Sequence, residues 1–175
     1  LIRNDDDNET AYLMMASIAG QRKVYPEQVY YSYMAHKLNP LSAENKAKYI
    51  NSLLFAREFE RLENFLSHQS NLSDDLKQVQ LYAAGRNGNI KKYKTQLKHS
   101  ETDKNIGALA FLLFAQDDLS IQKKLSVIEN EFHTGDPFLQ QELFAAQSEL
   151  YLKSGKLDDS EKALLKAYAL NEFAF

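Results

Sequence analysis

The chain contains no cysteine and no tryptophan, and only 3 prolines and 6 glycines are spread over its 175 residues. It also has no apolar run approaching the roughly 18 to 20 residues that a helix needs to cross a bilayer, which excludes direct membrane insertion as a helix. Without thiols there is no disulfide framework, no thiolate zinc site and no cysteine nucleophile. The scarcity of Gly and Pro, set against 10 Phe and 10 Tyr, points away from disorder. Charge of one sign is lacking too: a formal net charge of −3 gives no general attraction to nucleic acid or an anionic membrane, so either partner would need a local basic patch. Catalytic fingerprints are missing as well, since no Gly-x-Ser-x-Gly elbow, phosphate-binding glycine loop or dinucleotide motif occurs.

What is present is helical periodicity. Apolar residues recur at three- and four-residue spacing, as in Leu139, Leu143, Ala146 and Leu150, or Leu62 with Phe65 and Leu66, and no convincing two-residue alternation appears. The breaks carry helix punctuation: Gly20 then Pro26; Asn39-Pro40 then Ser42; Ser73 before Asp74-Asp75; Asn87-Gly88-Asn89; Thr102; Ser120; Gly135-Asp136-Pro137; and Gly155. Asp158 with Glu161 three residues on resembles a capping box. This reads as one all-α domain over residues 1–175, of about ten helices in five hairpins, at approximately 8–40, 42–70, 73–100, 102–134 and 136–171. A large apolar residue just after each hairpin turn (Tyr25, Phe59, Ile90, Leu119, Leu157) supplies a ruler with spacings of 34, 31, 29 and 38. The stretch Ala35-His36-Lys37-Leu38-Asn39 also returns as Ala167-Tyr168-Ala169-Leu170-Asn171, offset by 132, close to four times 33.

A period near 34 is that of the tetratricopeptide repeat. The last hairpin resembles this family through Phe144, Ser148, Tyr151, Gly155, Ser160, Leu164 and Ala167, and the first through Tyr12, Ala16, Ala19, Ala35 and Pro40. Small residues let helices approach and large ones fill the gap to the next hairpin. Departures are Glu172 where Pro is usual, Lys23 and Arg57 where Gly is usual, and a fourth hairpin that fits only on its first helix, through Ile106, Ala110 and Leu113. The resemblance implies a right-handed superhelical solenoid whose first helices line a concave face. Carrying the family's ligand-facing positions across nominates Thr10, Leu13 and Ser17; Glu44, Asn51 and Phe55; Gln78, Tyr82 and Arg86; and Glu142, Glu149 and Lys153. Such a mixture suits an extended peptide or a helix. The carboxylate clamp of chaperone-binding members is not in the first hairpin, where Leu13 and Ser17 stand in place of Lys and Asn.

Other polar groupings have plain structural readings. Asp74-Asp75, Asp117-Asp118 and Asp158-Asp159 fall at helix starts, where carboxylates complement the helix dipole. Asp5-Asp6-Asp7-Asn8-Glu9 lacks the glycine and distal Glu of a calcium loop, so no metal is expected. His36, His68, His99 and His133 sit near the ends of second helices, where a cation is favoured. The basic stretch Arg86, Lys91, Lys92, Lys94, Lys98 and Lys104, flanked by Tyr82 and Tyr93, reads as a solvated face or an anionic-partner site. In the cluster Tyr25, Tyr30, Tyr31 and Tyr33, Val29 with Tyr33 and Tyr30 with Met34 make core stripes that leave Tyr31 over; the cluster reads first as packing between hairpins and second as an interface.

The expectation is a non-catalytic scaffold that binds a peptide or partner protein, without cofactor, metal or nucleic acid. An alternative is an envelope scaffold of a bacterial polysaccharide-export or secretion machine, which leans the compartment toward the periplasm. A third is an enzyme or nucleic-acid-binding helical repeat. The ends, Leu1-Ile2-Arg3-Asn4 without Met and the apolar Phe173 and Phe175, read as those of a piece of a longer chain.

Overall fold

The computed structural model describes residues 8–89, 91, 105–116, 118–132 and 134–173, and every regular element among them is helical. The chain divides into two compact units, Leu1–Gln69 and Ser70–Phe175, within what the sequence reads as one repeat domain.

The first unit holds α1 (Glu9–Gln21), α2 (Tyr25–Leu38), α3 (Ala43–Phe55) and α4 (Phe59–Ser67). The Asn8 side chain caps α1 by accepting from the Ala11 N–H at 2.9 Å, and Ser42 caps α3 through the Asn45 N–H at 3.2 Å. Pro26 occupies the first turn of α2, where its missing N–H costs nothing. Helix α2 packs on both α1 and α3, and α3 on α4. The core is Tyr12, Ala16 and Ala19 of α1, Val29 and Ala35 of α2, Tyr49, Ile50, Leu53 and Leu54 of α3, and Leu62 and Leu66 of α4. A buried polar seam runs through it. Ser32 and Ser52 hydroxyls meet at 2.7 Å across α2 and α3, and the Asn45 amide donates to the Glu9 carboxylate at 2.8 Å and to the Ala35 carbonyl at 3.1 Å. Each hydroxyl also donates to, or shares, a carbonyl one turn back on its own helix, so the pair is satisfied without water.

The second unit holds α5 (Asp74–Arg86), α6 (Ile106–Ala110) continued by a π turn (Phe111–Ala115), α7 (Ile121–Glu131), α8 (Pro137–Lys153) and α9 (Leu157–Phe173). Side chains of Ser73, Asn105, Ser120 and Asp136 cap α5, α6, α7 and α8. Helix α9 begins at Leu157, so Asp158 lies inside its first turn beside Asp159 and is not the capping-box residue that the sequence suggested. Both carboxylates still face the positive end of the helix dipole. Asp74 and Asp75 occupy the first turn of α5 in the same way, while Asp118 precedes α7.

One turn recurs. Lys23, Arg57, Gly88 and Gly155 all have positive φ, of 57, 56, 76 and 77 degrees. Each donates its N–H to the carbonyl three residues back, and the next residue donates to the carbonyl five residues before itself, as in Lys23 to Gly20 at 2.9 Å with Val24 to Ala19 at 2.9 Å, and Gly155 to Leu152 at 3.1 Å with Lys156 to Tyr151 at 2.9 Å. The bonds at 57 and 88 follow the same pattern. This is the Schellman closure of a helix C-terminus, which favours glycine because only glycine reaches positive φ without strain. Two of the four positions hold long basic residues instead, at the places where the sequence departs from the repeat pattern. Their spacings are 34, 31 and 67 residues, and Tyr25, Phe59 and Leu157 follow as the first residues of α2, α4 and α9.

Fewer α-helices than the ten of the sequence reading are seen among the described residues, because the second helix expected in the third hairpin, which ends at 100, falls almost wholly outside them. Ile90, Lys92, Tyr93, Lys94, Lys98, His99, Thr102, Lys104, Asp117, His133, Asp5 to Asp7 and Phe175 likewise lie outside the described residues. The fourth hairpin departs from regular α-helix on its first helix, the part that fits the repeat pattern in sequence. Its first helix breaks into the π turn, closed by Gln116 N–H donating to the Phe111 carbonyl at 3.2 Å. Buried Lys124 donates its Nζ to the Leu113 carbonyl at 3.2 Å, satisfying a backbone acceptor in that turn.

Candidate functional site

The nominated residues separate by unit. In the first unit, Thr10, Ser17, Glu44, Asn51 and Phe55 are exposed and Leu13 is half-buried. Asn45 bonding to Glu9 ties the first turns of α3 and α1 together, and Thr10 and Glu44 are the chain neighbours of that pair. Glu44 is held by Lys48 at 2.9 Å one turn along α3, and this hydrogen bond pulls its carboxyl below the usual carboxylate range. Repeat-equivalent positions 34 residues apart, Thr10 with Glu44 and Ser17 with Asn51, are therefore presented to solvent on two first helices of one compact unit.

In the second unit the same positions turn inward. Tyr82 is 0% and Glu142 1% exposed, so neither presents a surface to an incoming ligand, contrary to their nomination as concave-face contacts. The Tyr82 hydroxyl donates to the Glu142 carboxylate, and Arg86 reaches three groups: its Nε donates to Tyr82 Oη at 2.9 Å, one Nη donates to Glu149, and the other lies 3.5 Å from Glu142. The guanidinium also lies 5.2 Å from the Tyr82 ring centre and 5.7 Å from that of Phe114. Two helix faces, with Tyr82 and Arg86 one turn apart on α5 and Glu142 and Glu149 two turns apart on α8, close on each other around one cation. Burial, then the Glu142 charge, push the Tyr82 phenol above its ordinary value, so it stays a neutral donor. Burial works against the Arg86 charge, but the acidic neighbours outweigh it and the guanidinium stays protonated.

Glycine permits the cluster. A Cβ on Gly85 would sit 2.1 Å from Phe114 Cδ2, so only glycine lets that ring close over Arg86 and Tyr82. A Cβ on Gly107 would sit 2.8 Å from Gln78 Cγ, which places Gln78, another nominated residue, half-buried against α6. Lys153 is exposed at the end of α8.

A concavity that the sequence reading missed lies between α7 and α8. It encloses about 320 Å³ and is lined by Ile128, Phe132, Leu143 and Phe144 with the polar Glu129, Thr134, Gln140 and Gln147. These apolar residues read in the sequence as ordinary core stripes, and periodicity alone does not separate a packed stripe from a cleft wall. Glu129 accepts from the Tyr151 hydroxyl, and that hydrogen bond, followed by burial, pushes the Tyr151 phenol up to about 12.

The tyrosine cluster differs from expectation. Tyr31 is half-buried between Tyr12 and Tyr30, at ring separations of 6.4 and 5.3 Å, while Tyr30 is the outward ring at 54% exposed. His36 is no surface cation: it stacks on Tyr49 at 6.0 Å and meets Phe65 edge-on at 5.3 Å, and burial followed by Lys46 lowers its pKa. His68 does sit at the end of α4, its Nδ1 bonded to the Asn64 carbonyl at 2.7 Å. Among the described residues, no group of three His, Asp or Glu side chains could hold a metal, and no helix is long and apolar enough to cross a membrane. Lys91 of the basic stretch is exposed, whereas Arg86 belongs to the buried cluster. Compared with known proteins, the chain matches no family model, no curated protein and no solved structure.

Proposed function

We propose that this protein is a non-catalytic helical-repeat scaffold of the tetratricopeptide type, wound as a right-handed solenoid, that binds a peptide or helix of another protein on the first-helix surface of residues 9–67. The observation that carries this reading is the recurrence of one turn, with the same backbone bonds, at Lys23, Arg57, Gly88 and Gly155. Recurrence of a turn fixes which residues are equivalent from hairpin to hairpin. Equivalent positions then separate into an exposed set, Thr10, Ser17, Glu44, Asn51 and Phe55 with half-buried Leu13 beside them, and a set closed on itself, Tyr82, Arg86, Glu142 and Glu149. Of these two sets, the exposed one presents its surface to a partner. Its chemistry is amide, hydroxyl and carboxylate around one aromatic, Phe55, 37% exposed. Such a surface orients a backbone by hydrogen bonds and gains affinity from one apolar anchor.

Selection of a displayed peptide library on the whole chain tests the reading. Selected peptides are expected to bind an Asn51→Arg, Phe55→Ala variant about tenfold or more weakly, a loss of about 1.4 kcal/mol. A Lys153→Glu variant is expected to bind them normally. Peptides that tolerate the first variant, or a library that yields no binder, would overturn the assignment.

A further inference from the structure

The recurring turn also pairs the faces of α1 and α9 with faces that are already packed inside the first unit. Residues of α2 and α9 correspond with an offset of 132, from Lys23 to Gly155, and residues of α1 and α3 with an offset of 34, from Lys23 to Arg57. On α2, Ser32, Tyr33 and His36 face α3: buried Ser32 meets Ser52 at 2.7 Å, half-buried His36 stacks on the Tyr49 ring at 6.0 Å, and Tyr33 meets that ring at 5.5 Å while staying 40% exposed. Asn45, Tyr49 and Ser52, spaced four and three residues apart, are the α3 side of that seam, and all three are buried.

Adding 132 to the α2 positions gives Leu164, Leu165 and Tyr168 on α9. They are 57%, 59% and 64% exposed, although Ser160, Ala163 and Ala167 on the other side of α9 are buried against α8. The large apolar residues of α9 thus face outward and the small ones inward, the reverse of what burial favours on an amphipathic helix. Subtracting 34 from the α3 positions gives Ala11, Met15 and Ile18 on α1. None of them is buried; Ile18 is 43% exposed and adjoins Met14 at 62%. One helix therefore carries the α2 half of the seam and another the α3 half, both without the cover that α2 and α3 give each other.

We propose that α9 of one copy of this chain docks on α1 of a second copy, reproducing the α2–α3 seam between molecules. The contact is head-to-tail, so each copy has one donor face and one acceptor face, and association is open-ended unless the rotation closes a ring. A seam of one helix pair lies at the low end of interface sizes, so assembly is expected in the range of about 10 µM to 1 mM. This inference stands on the turn register and on exposure, and is independent of the peptide surface proposed above.

Sedimentation over that concentration range, on the whole chain, is the test. The wild-type weight-average mass is expected to at least double. Leu164→Glu with Tyr168→Glu blocks one end and Ile18→Glu the other; both variants alter exposed side chains and are expected to stay folded by circular dichroism and to remain monomeric. Mixed in equal amounts, they are expected to form a one-to-one pair of twice the monomer mass that grows no further, because each supplies the face the other lacks. A wild type that stays monomeric at about 1 mM overturns the proposal. So does self-association that survives Ile18→Glu but not the α9 variant, which would mean a symmetric α9–α9 dimer, and so does a mixture that fails to pair.

Discussion

Replacing Arg86 by Met removes the cation that binds Tyr82, Glu142 and Glu149 while keeping much of the stem that packs between the Tyr82 and Phe114 rings. Arg86 and Glu142 side chains are 9% and 2% exposed, so this is a buried pair. At 3.5 Å and an effective dielectric of about 20, their attraction is about 5 kcal/mol before desolvation is charged against it. Removing the guanidinium leaves the Glu142 carboxylate buried without that counter-charge, and losses of about 3 to 5 kcal/mol follow from such truncations. Glu149 is 45% exposed, so Glu149→Gln should cost less than about 1 kcal/mol despite its own bond to Arg86. The decisive comparison is the double variant Arg86→Met, Glu142→Gln, which removes both charges. It should recover at least half of the single-variant loss, because the penalty of Arg86→Met is chiefly the loss of the guanidinium beside the buried Glu142 carboxylate. Urea unfolding combined with hydrogen exchange at the amides of α5 and α8 reads the effect in the unit that contains it. An Arg86→Met loss under about 1 kcal/mol, or a double variant no more stable than the single one, would refute the buried-charge reasoning.

Three further outcomes follow from local geometry. Gly155→Ala should cost about 1 kcal/mol through backbone strain alone, since a Cβ there meets nothing within 4 Å, whereas Lys23→Gly should gain about 0.5 to 1 kcal/mol by relieving a positive φ; equilibrium unfolding of both variants checks the signs. Gly85→Ala should cost about 3 kcal/mol, because its Cβ would overlap the Phe114 ring, and Gly107→Ala clearly less, because the flexible Gln78 side chain can withdraw; thermal unfolding of the pair gives the order. His36 has a folded pKa below its ordinary 6.5, so the unfolded chain takes up a proton first as pH falls. Its contribution is intact above about pH 6.5 and is lost as pH drops from there through the folded value, and His36→Gln should flatten that part of the stability profile measured by urea unfolding.

Local chemistry was legible where it is set by neighbours in the chain. Ser42, Ser73, Ser120 and Asp136 read as helix starts and cap helices, because an N-cap needs only one side-chain oxygen and two or three residues of backbone. Lys23 and Arg57 read as departures from the glycine of the repeat, yet they occupy the same left-handed turn, since a cost of about 1 to 2 kcal/mol is small against the packing of two helices. The run Phe111-Leu112-Leu113-Phe114-Ala115 is apolar throughout and has no period to read, so its π turn was not visible beforehand. The register correctly set Tyr82 with Arg86, and Glu142 with Glu149, on single helix faces. It carried no information that these faces meet each other, because that contact joins residues 56 to 63 positions apart and depends on tertiary packing. The cleft between α7 and α8 escaped for the same reason.

An amide-resolved NMR titration of the whole chain with a selected peptide addresses the binding surface itself. Shift changes are expected on α1 and α3 around Thr10, Ser17, Asn51 and Phe55, with the amides beside Tyr82 and Glu142 unmoved. Changes concentrated on α5 and α8, or in the cleft at Phe132 and Phe144, would contradict the account.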